Sequence, residues 1–127
     1  MRRNQGFTII ELLFALTLVI ILASLVIIQK NNIDASTRDR ERKTAINAFY
    51  YGLKEGYYKE HKSYPTTLSK ENLPYIDPAL FKDPQGKVIG QNGSDYHYFA
   101  KDCEGNNCTS FELRVKLEKE AEYTKSS

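Results

Sequence analysis

Apolar residues are concentrated in one continuous run near the start of the chain. Residues 7–28 form a stretch of about 22 residues with a single charge, Glu11, and with neither Pro nor Gly. A helix of that length reaches roughly 33 Å, which is enough to cross a hydrocarbon core of ~30 Å. The run therefore predicts an uninterrupted helix that lies in a membrane or in the core of a larger assembly.

Beyond residue 30 the pattern changes to a helix with one apolar face. The residues at helical spacing on that face are Ile46, Phe49, Tyr50, Leu53 and Tyr57, and charged residues occupy the other positions. We expect this helix to end near His61, because the following Tyr-Pro pair cannot easily continue it. Its apolar face needs a partner surface.

Two alternating segments near the C-terminus predict a β-hairpin over residues 95–118. The second segment places Phe111, Leu113, Val115 and Leu117 on one face, and the first offers Tyr96, Tyr98 and Ala100. Between helix and hairpin, the residues rich in Pro, Gly, Asn and Asp predict a loop with one helical turn near Ser69. A further short strand near residues 87–89 is an option, and the polar tail, residues 119–127, is expected to fray.

These elements predict an α+β fold. A long N-terminal helix, with a membrane half and an amphipathic half, packs on a small antiparallel β-sheet. The part outside the membrane, from about residue 30, is near 100 residues long, and domains of this size often need additional covalent or metal links. Cys103 and Cys108 would supply one as a disulfide across the hairpin tip, worth about 2 kcal/mol for so short a loop. A metal site is the alternative, but no second pair of ligands is evident.

Charge restricts the classes of function. The formal net charge is +2, and Arg2 and Arg3 account for it. A chain that is nearly neutral beyond them is not expected to bind nucleic acid by bulk electrostatic attraction. The basic cluster of Arg38, Arg40, Arg42 and Lys43 alternates with Asp39 and Glu41, so we expect solvated or intersubunit ion pairs there, with lipid headgroups or DNA as alternatives.

The N-terminal residues carry a more specific signal. The segment Gly6-Phe7-Thr8-Ile9-Ile10-Glu11-Leu12, after a basic leader, resembles the N-terminal signature of type IV pilins and type II secretion pseudopilins. The resemblance implies that a prepilin peptidase cuts after Gly6 and methylates the new amine of Phe7. It also implies that Glu11 promotes filament assembly. Many type IV pilins have a Pro where this chain has Ile28, so we expect a continuous helix here.

The resemblance implies a division of the chain into a leader, residues 1–6, a transmembrane and filament-core helix, residues 7–29, and an extracytoplasmic head, residues 30–127. It places the N-terminus in the cytoplasm, because the peptidase acts there. The implied location is the bacterial cytoplasmic membrane before assembly and a cell-surface or periplasmic filament afterwards. The implied partners are copies of the chain or related pilins, the prepilin peptidase, the pilus assembly platform and the membrane, with nucleic acid only for a DNA-uptake pilus.

A carboxylate inside an apolar span costs several kcal/mol, so Glu11 needs a partner. Cleavage would create a cationic amine at Phe7, and Glu11 of one subunit could then pair with the amine of a neighbour. The alternatives are that Glu11 sits at the interface or stays protonated. Ordinary signal-peptide cleavage near Ala23 is a rival interpretation, but further apolar residues follow that point.

No catalytic constellation or metal motif is visible, so we expect no enzyme. Some pseudopilins bind calcium through loop carboxylates. Asp83, Asp95, Asp102 and Glu104 are such residues here, although no spacing singles out a site, and no other cofactor is expected. The many tyrosines are explained mainly by core packing, with a surface for a glycan, a host protein or DNA as the alternative.

The sequence thus predicts a structural filament subunit that serves adhesion, twitching motility, DNA uptake or protein secretion. The alternative is a monomeric single-span membrane protein whose head binds a ligand.

Overall fold

A computed structural model describes residues 6–127 of the chain. Of the predicted leader only Gly6 is included, and Met1, Arg2, Arg3, Asn4 and Gln5 lie outside the described residues. The chain divides into a first unit that ends at Asp34 and a second unit, Ala35–Ser127.

The main helix, α1, covers Ile9–Tyr51 and is continuous over 43 residues. The prediction of an uninterrupted helix is confirmed. In the first unit the helix is apolar on all sides, and every large apolar side chain from Phe7 to Ile33 is at least half exposed. Within the described chain one helical stretch, Ile9–His61, is long and apolar enough to cross a membrane, judged by length and composition alone.

The helical stretch changes geometry after Tyr51. A π-helix covers Gly52–Tyr57, and a last α-helical turn, α2, covers Tyr58–His61. Lys62 then adopts a left-handed conformation with φ of 55°, which ends the helix. The predicted end near residue 61 is confirmed, whereas the π-helical segment was not predicted.

Three antiparallel strands form the sheet of the second unit. They are β1, Tyr96–Glu104, β2, Asn107–Val115, and β3, Tyr123–Ser126, in the spatial order β1-β2-β3. Tyr98 lies opposite Leu113 in the predicted hairpin, and Val115 lies opposite Tyr123 on its other side. The α+β architecture with a small antiparallel sheet is as predicted.

The expectation of a frayed tail was wrong. Residues 123–126 form β3 because the far edge of β2 offers backbone partners that a polar segment can use. The Ser127 backbone N–H adds a bond of 3.1 Å to the carbonyl oxygen of Phe111. The short strand considered near residues 87–89 is not formed; Val88 makes a single β-bridge with Lys82.

The core of the second unit lies between α1 and the sheet. The helix buries Ile46, Phe49 and Leu53, and the sheet contributes the alternating residues of β2 that the sequence pattern predicted. The connecting segment also enters the core, since Phe81 packs edge-on against Phe49 with ring centroids 5.0 Å apart. Phe81 belongs to a 3₁₀-helix, Pro78–Phe81, whose N-cap is Asp77.

A buried ion network joins α1 to the sheet. The Arg42 guanidinium donates to Asp39 at 3.0 Å, to Asp95 at 2.7 Å and to Glu118 at 2.8 Å. The side chains of Arg42 and Asp39 are only 3% and 5% exposed. The expectation of solvated or intersubunit pairs was therefore wrong for these two residues. Asp39 and Arg42 are buried because Asp95 and Glu118, which are distant in sequence, supply carboxylate partners for Arg42.

Candidate functional site

The candidate site is the segment that begins at Gly6 and opens α1. Gly6 and Phe7 precede the helix, and Phe7 is 81% exposed. A Cβ atom added to Gly6 would have no atom of the described chain within 4 Å. Nothing in the described residues therefore requires a glycine at this position.

Thr8 caps the helix. Its hydroxyl accepts a hydrogen bond from the Glu11 backbone N–H at 3.3 Å, and its carbonyl oxygen accepts one from Leu12 at 3.1 Å. Thr-x-x-Glu is the pattern of a capping box, in which the side chain at the fourth position can also cap the helix. Sequence reasoning assigned no role to Thr8, although this spacing is a visible signal.

Glu11 lies in the first turn of α1, and its side chain is exposed. A carboxylate at this position interacts favourably with the positive end of the helix dipole. Among residues 6–127 no cationic group forms a salt bridge with it. The carboxylate is thus presented outward at the start of the apolar helix, where a cation from another molecule can reach it.

The two remaining polar side chains of residues 9–28, Thr17 and Ser24, are bonded to their own helix. The Thr17 hydroxyl donates to the Phe14 carbonyl oxygen at 2.8 Å, and the Ser24 hydroxyl donates to that of Ile21 at 2.7 Å. Hydroxyls bonded to their own backbone are tolerated in lipid or in a helix bundle. Glu11 is the exception in the run: a charged group with no ion-pair partner within the described residues.

Residues 1–27 match the family model for the prokaryotic N-terminal methylation motif. The chain carries a prokaryotic N-terminal methylation motif. This motif is the processing signal of type IV pilins and pseudopilins, so the resemblance found in the sequence is confirmed for this segment. No curated protein and no solved structure shows significant similarity to the chain.

The methylation motif contains all three residues predicted for processing and assembly. Gly6, Phe7 and Glu11 lie within its matched range, and the apolar part of α1 follows directly. The motif implies processing by a prepilin peptidase and pilin-like assembly. An apolar helix beside such a motif fits a membrane-anchored pilin precursor.

The two cysteines lie in the second unit, away in sequence from the methylation motif. Cys103 and Cys108 are opposite one another in the hairpin and form a disulfide, with Cα atoms 3.9 Å apart. Cys103 is exposed and Cys108 is fully buried. The pair thus closes the hairpin tip, as the sequence predicted.

Three of the four loop carboxylates considered for calcium, those of Asp83, Asp95 and Asp102, accept hydrogen bonds from the chain itself. Asp83 accepts bonds from the backbone N–H groups of Gln85, Lys87 and Asp95 at 2.9–3.0 Å. Burial opposes its ionisation, but these N–H donors outweigh burial and lower the pKa of Asp83. Over residues 6–127 no group of three or more His, Cys, Asp or Glu side chains is placed to hold a metal ion. Calcium binding stays a prediction.

Proposed function

We propose that this chain is a structural subunit of a type IV pilus or a related pilus-like filament. In this proposal a prepilin peptidase removes residues 1–6 and methylates Phe7, and the apolar part of α1 forms the filament core. The head, residues 30–127, then coats the filament outside the cytoplasm. One observation carries the proposal: a methylation motif continues directly into an apolar helix. The large apolar side chains of residues 7–28 in this helical segment are exposed within the described chain.

The energetics favour assembly over a monomeric state in water. The large apolar side chains exposed along residues 7–28 must be covered by lipid or by other helices. The amphipathic part of α1 already has its partner in the sheet, so copies of the chain would meet through the apolar part alone. We therefore assign self-association to the first unit and surface properties to the second.

The proposed role of Glu11 is to fix the axial position of a neighbouring subunit. After cleavage the amine of Phe7 would be the cation closest in sequence to the start of α1. A carboxylate and an amine that are each costly in an apolar bundle offset one another when they pair. Pairing across subunits needs the free amine, so cleavage after Gly6 would act as the switch that permits assembly.

Substitution of Glu11 tests this role. Glu11→Gln is expected to insert into the membrane and to be cleaved normally, yet to lose most sheared filaments. Gln retains the ability to complete a capping box but has no charge. Loss of filaments in Glu11→Gln would therefore trace to the charge and not to helix capping. The measurement is the amount of this chain in the shear fraction, relative to the membrane fraction.

Thr17→Val is the matched control, because it removes a polar group of the same helix that bonds only to its own backbone. It should assemble like the wild type. Normal filaments from Glu11→Gln would contradict the pairing role. If wild-type chain is never found in sheared polymer, the alternative of a monomeric single-span protein with a ligand-binding head replaces the filament proposal.

A further inference from the structure

Two lysines and two tyrosines lie together at the surface of the second unit, with Tyr51 exposed and the other three half-buried, and we name this group the Tyr50 patch. Its members are Tyr50, Tyr51, Lys54 and Lys125. The Lys54 Nζ atom lies 5.3 Å from the centroid of the Tyr50 ring, and the Lys125 Nζ atom lies 4.9 Å from the same centroid. The π-helix and strand β3 thus bring two lysines that are far apart in sequence to one ring of α1.

Both ammonium groups are held by rings and not by carboxylates. Lys54 donates to the Tyr50 hydroxyl at 3.3 Å, and Lys125 also lies 6.0 Å from the Tyr51 centroid. Over residues 6–127 neither lysine takes part in a salt bridge, whereas the neighbouring Glu55 is paired with Lys59 at 2.6 Å. The hydrogen bond to Tyr50 raises the pKa of Lys54 above its ordinary value.

The rings provide a stacking surface beside these charges. Tyr51 is 58% exposed and packs edge-on against Tyr50, with centroids 5.3 Å apart. A ring held by a neighbour in this way loses little side-chain freedom when a ligand stacks on it. The patch therefore combines a presented aromatic face with two positive charges that have no carboxylate partner in the described chain.

We propose that the Tyr50 patch binds single-stranded nucleic acid. A base stacked on Tyr51 would place its flanking phosphates near Lys54 and Lys125. Each stacked base contributes about 1–3 kcal/mol and every base has a flat face, so binding is tolerant of sequence. The four side chains include no amide or carboxylate to select sugar hydroxyls, which favours a nucleotide over an acidic polysaccharide. The proposal does not depend on filament assembly.

The test measures binding of a fluorescent oligothymidine to the full chain in a non-ionic detergent, by fluorescence anisotropy at several salt concentrations. Contact with two phosphates predicts a slope of log affinity against log salt of roughly −1.4. Tyr51→Ala should weaken binding by roughly tenfold, and Tyr51→Phe should retain it. Lys54→Gln and Lys125→Gln should each reduce the slope by about half.

Lys70→Gln and Lys116→Gln are the matched controls, since they remove the same charge at exposed positions outside the patch. Their binding should equal that of the wild type. Duplex DNA of the same length should bind more weakly, because its bases are not available for stacking.

The proposal is overturned if the oligothymidine does not bind, or if the controls weaken binding as much as the patch variants. It is also overturned if Tyr51→Ala binds the oligothymidine as tightly as the wild type, or if duplex DNA binds as tightly as the oligothymidine. A third contrary result would be that polygalacturonate, added at the same total charge, displaces the labelled oligothymidine more effectively than unlabelled oligothymidine does. Thermal unfolding of each variant, followed by circular dichroism, confirms that the head is folded in the samples compared.

Discussion

At the scale of single residues, the buried Arg42 is the centre of the head. It connects Asp39 on its own helix to Asp95 before β1 and to Glu118 after β2. Asp39 in turn accepts the backbone N–H groups of Glu118 and Lys119 at 2.8 and 2.9 Å. Burial opposes ionisation of Asp39, but these donors and Arg42 outweigh it and lower its pKa. Hydrogen bonds from Arg38 and Arg42 hold the pKa of Glu118 at about 2.

Arg42→Met is expected to lower the free energy of unfolding of the head by about 3 kcal/mol at neutral pH, because removing one partner leaves buried acidic groups uncompensated. The pKa values of Asp39 and Glu118 are lower in the folded state, so their contribution is complete above pH 5 and is lost as pH falls towards 2. The difference between Arg42→Met and wild type should shrink over that range. Urea unfolding at several pH values measures it.

Arg40→Met is the control, since Arg40 is exposed on the same helix. Its effect on the free energy of unfolding should stay within about 0.5 kcal/mol. A loss as large as that of Arg42→Met would mean that charge on this helix, and not the buried network, sets the stability. A difference that does not change with pH would contradict the assigned pKa directions.

At the scale of elements, the π-helix is explained by a side chain from the connecting segment. Tyr75 lies over two helical glycines and donates its hydroxyl to the Gly52 carbonyl oxygen at 2.8 Å. A Cβ atom on Gly56 would lie 1.9 Å from the Tyr75 hydroxyl oxygen, and one on Gly52 would lie 2.6 Å from Ile76. The absence of side chains at the two glycines thus leaves the space that Tyr75 and Ile76 of the connecting segment occupy against the helix.

A double-mutant cycle tests the contact between Tyr75 and Gly56. In a Tyr75→Ala background, Gly56→Ala should stabilise the head by up to about 1 kcal/mol, because alanine favours helix. In the wild-type background that gain should be cancelled or reversed, since Tyr75 must move and lose a hydrogen bond worth about 1 kcal/mol. Urea unfolding of the four proteins gives the coupling energy. Additive effects of the two changes would show that Tyr75 and Gly56 do not interact.

Features that depend on residues close together in the sequence could be predicted, whereas features that depend on residues far apart in the sequence could not. The alternation of Phe111, Leu113 and Val115 is local, and all three are buried in the structure as predicted. The burial of Arg42 and the contact of Tyr75 with Gly56 each depend on a partner more than ten residues away, and β3 pairs with β2 across the connecting residues 116–122. Local patterns carry no signal for such partners, so the head's ion network and third strand were missed.

At the N-terminal site, by contrast, most of the candidate functional residues could be predicted from the sequence. Gly6, Phe7 and Glu11 could be singled out because a processing signal is read as a short sequence, and the matched motif covers the same residues. Only the cap formed by Thr8 was overlooked there. The pairing of Glu11 with a neighbour's amine involves a second molecule, so it stays a proposal at this scale.

At the scale of the whole molecule, the two units would have different tasks. The first presents an apolar helix with an outward carboxylate, and the second carries its own core, disulfide and exposed surface. Processing, insertion and assembly would depend on the first unit, and ligand contacts on the second. In the proposed filament, assembly would therefore require the mature N-terminus, whichever surface the head presents.

The most direct test is intact mass and N-terminal sequencing of the chain recovered from sheared filaments and from membranes of the same cells. We expect the chain in the shear fraction to begin at Phe7 and to carry one added methyl group on its amine. A full-length chain that still carries residues 1–6 and is confined to the membrane fraction would contradict the account.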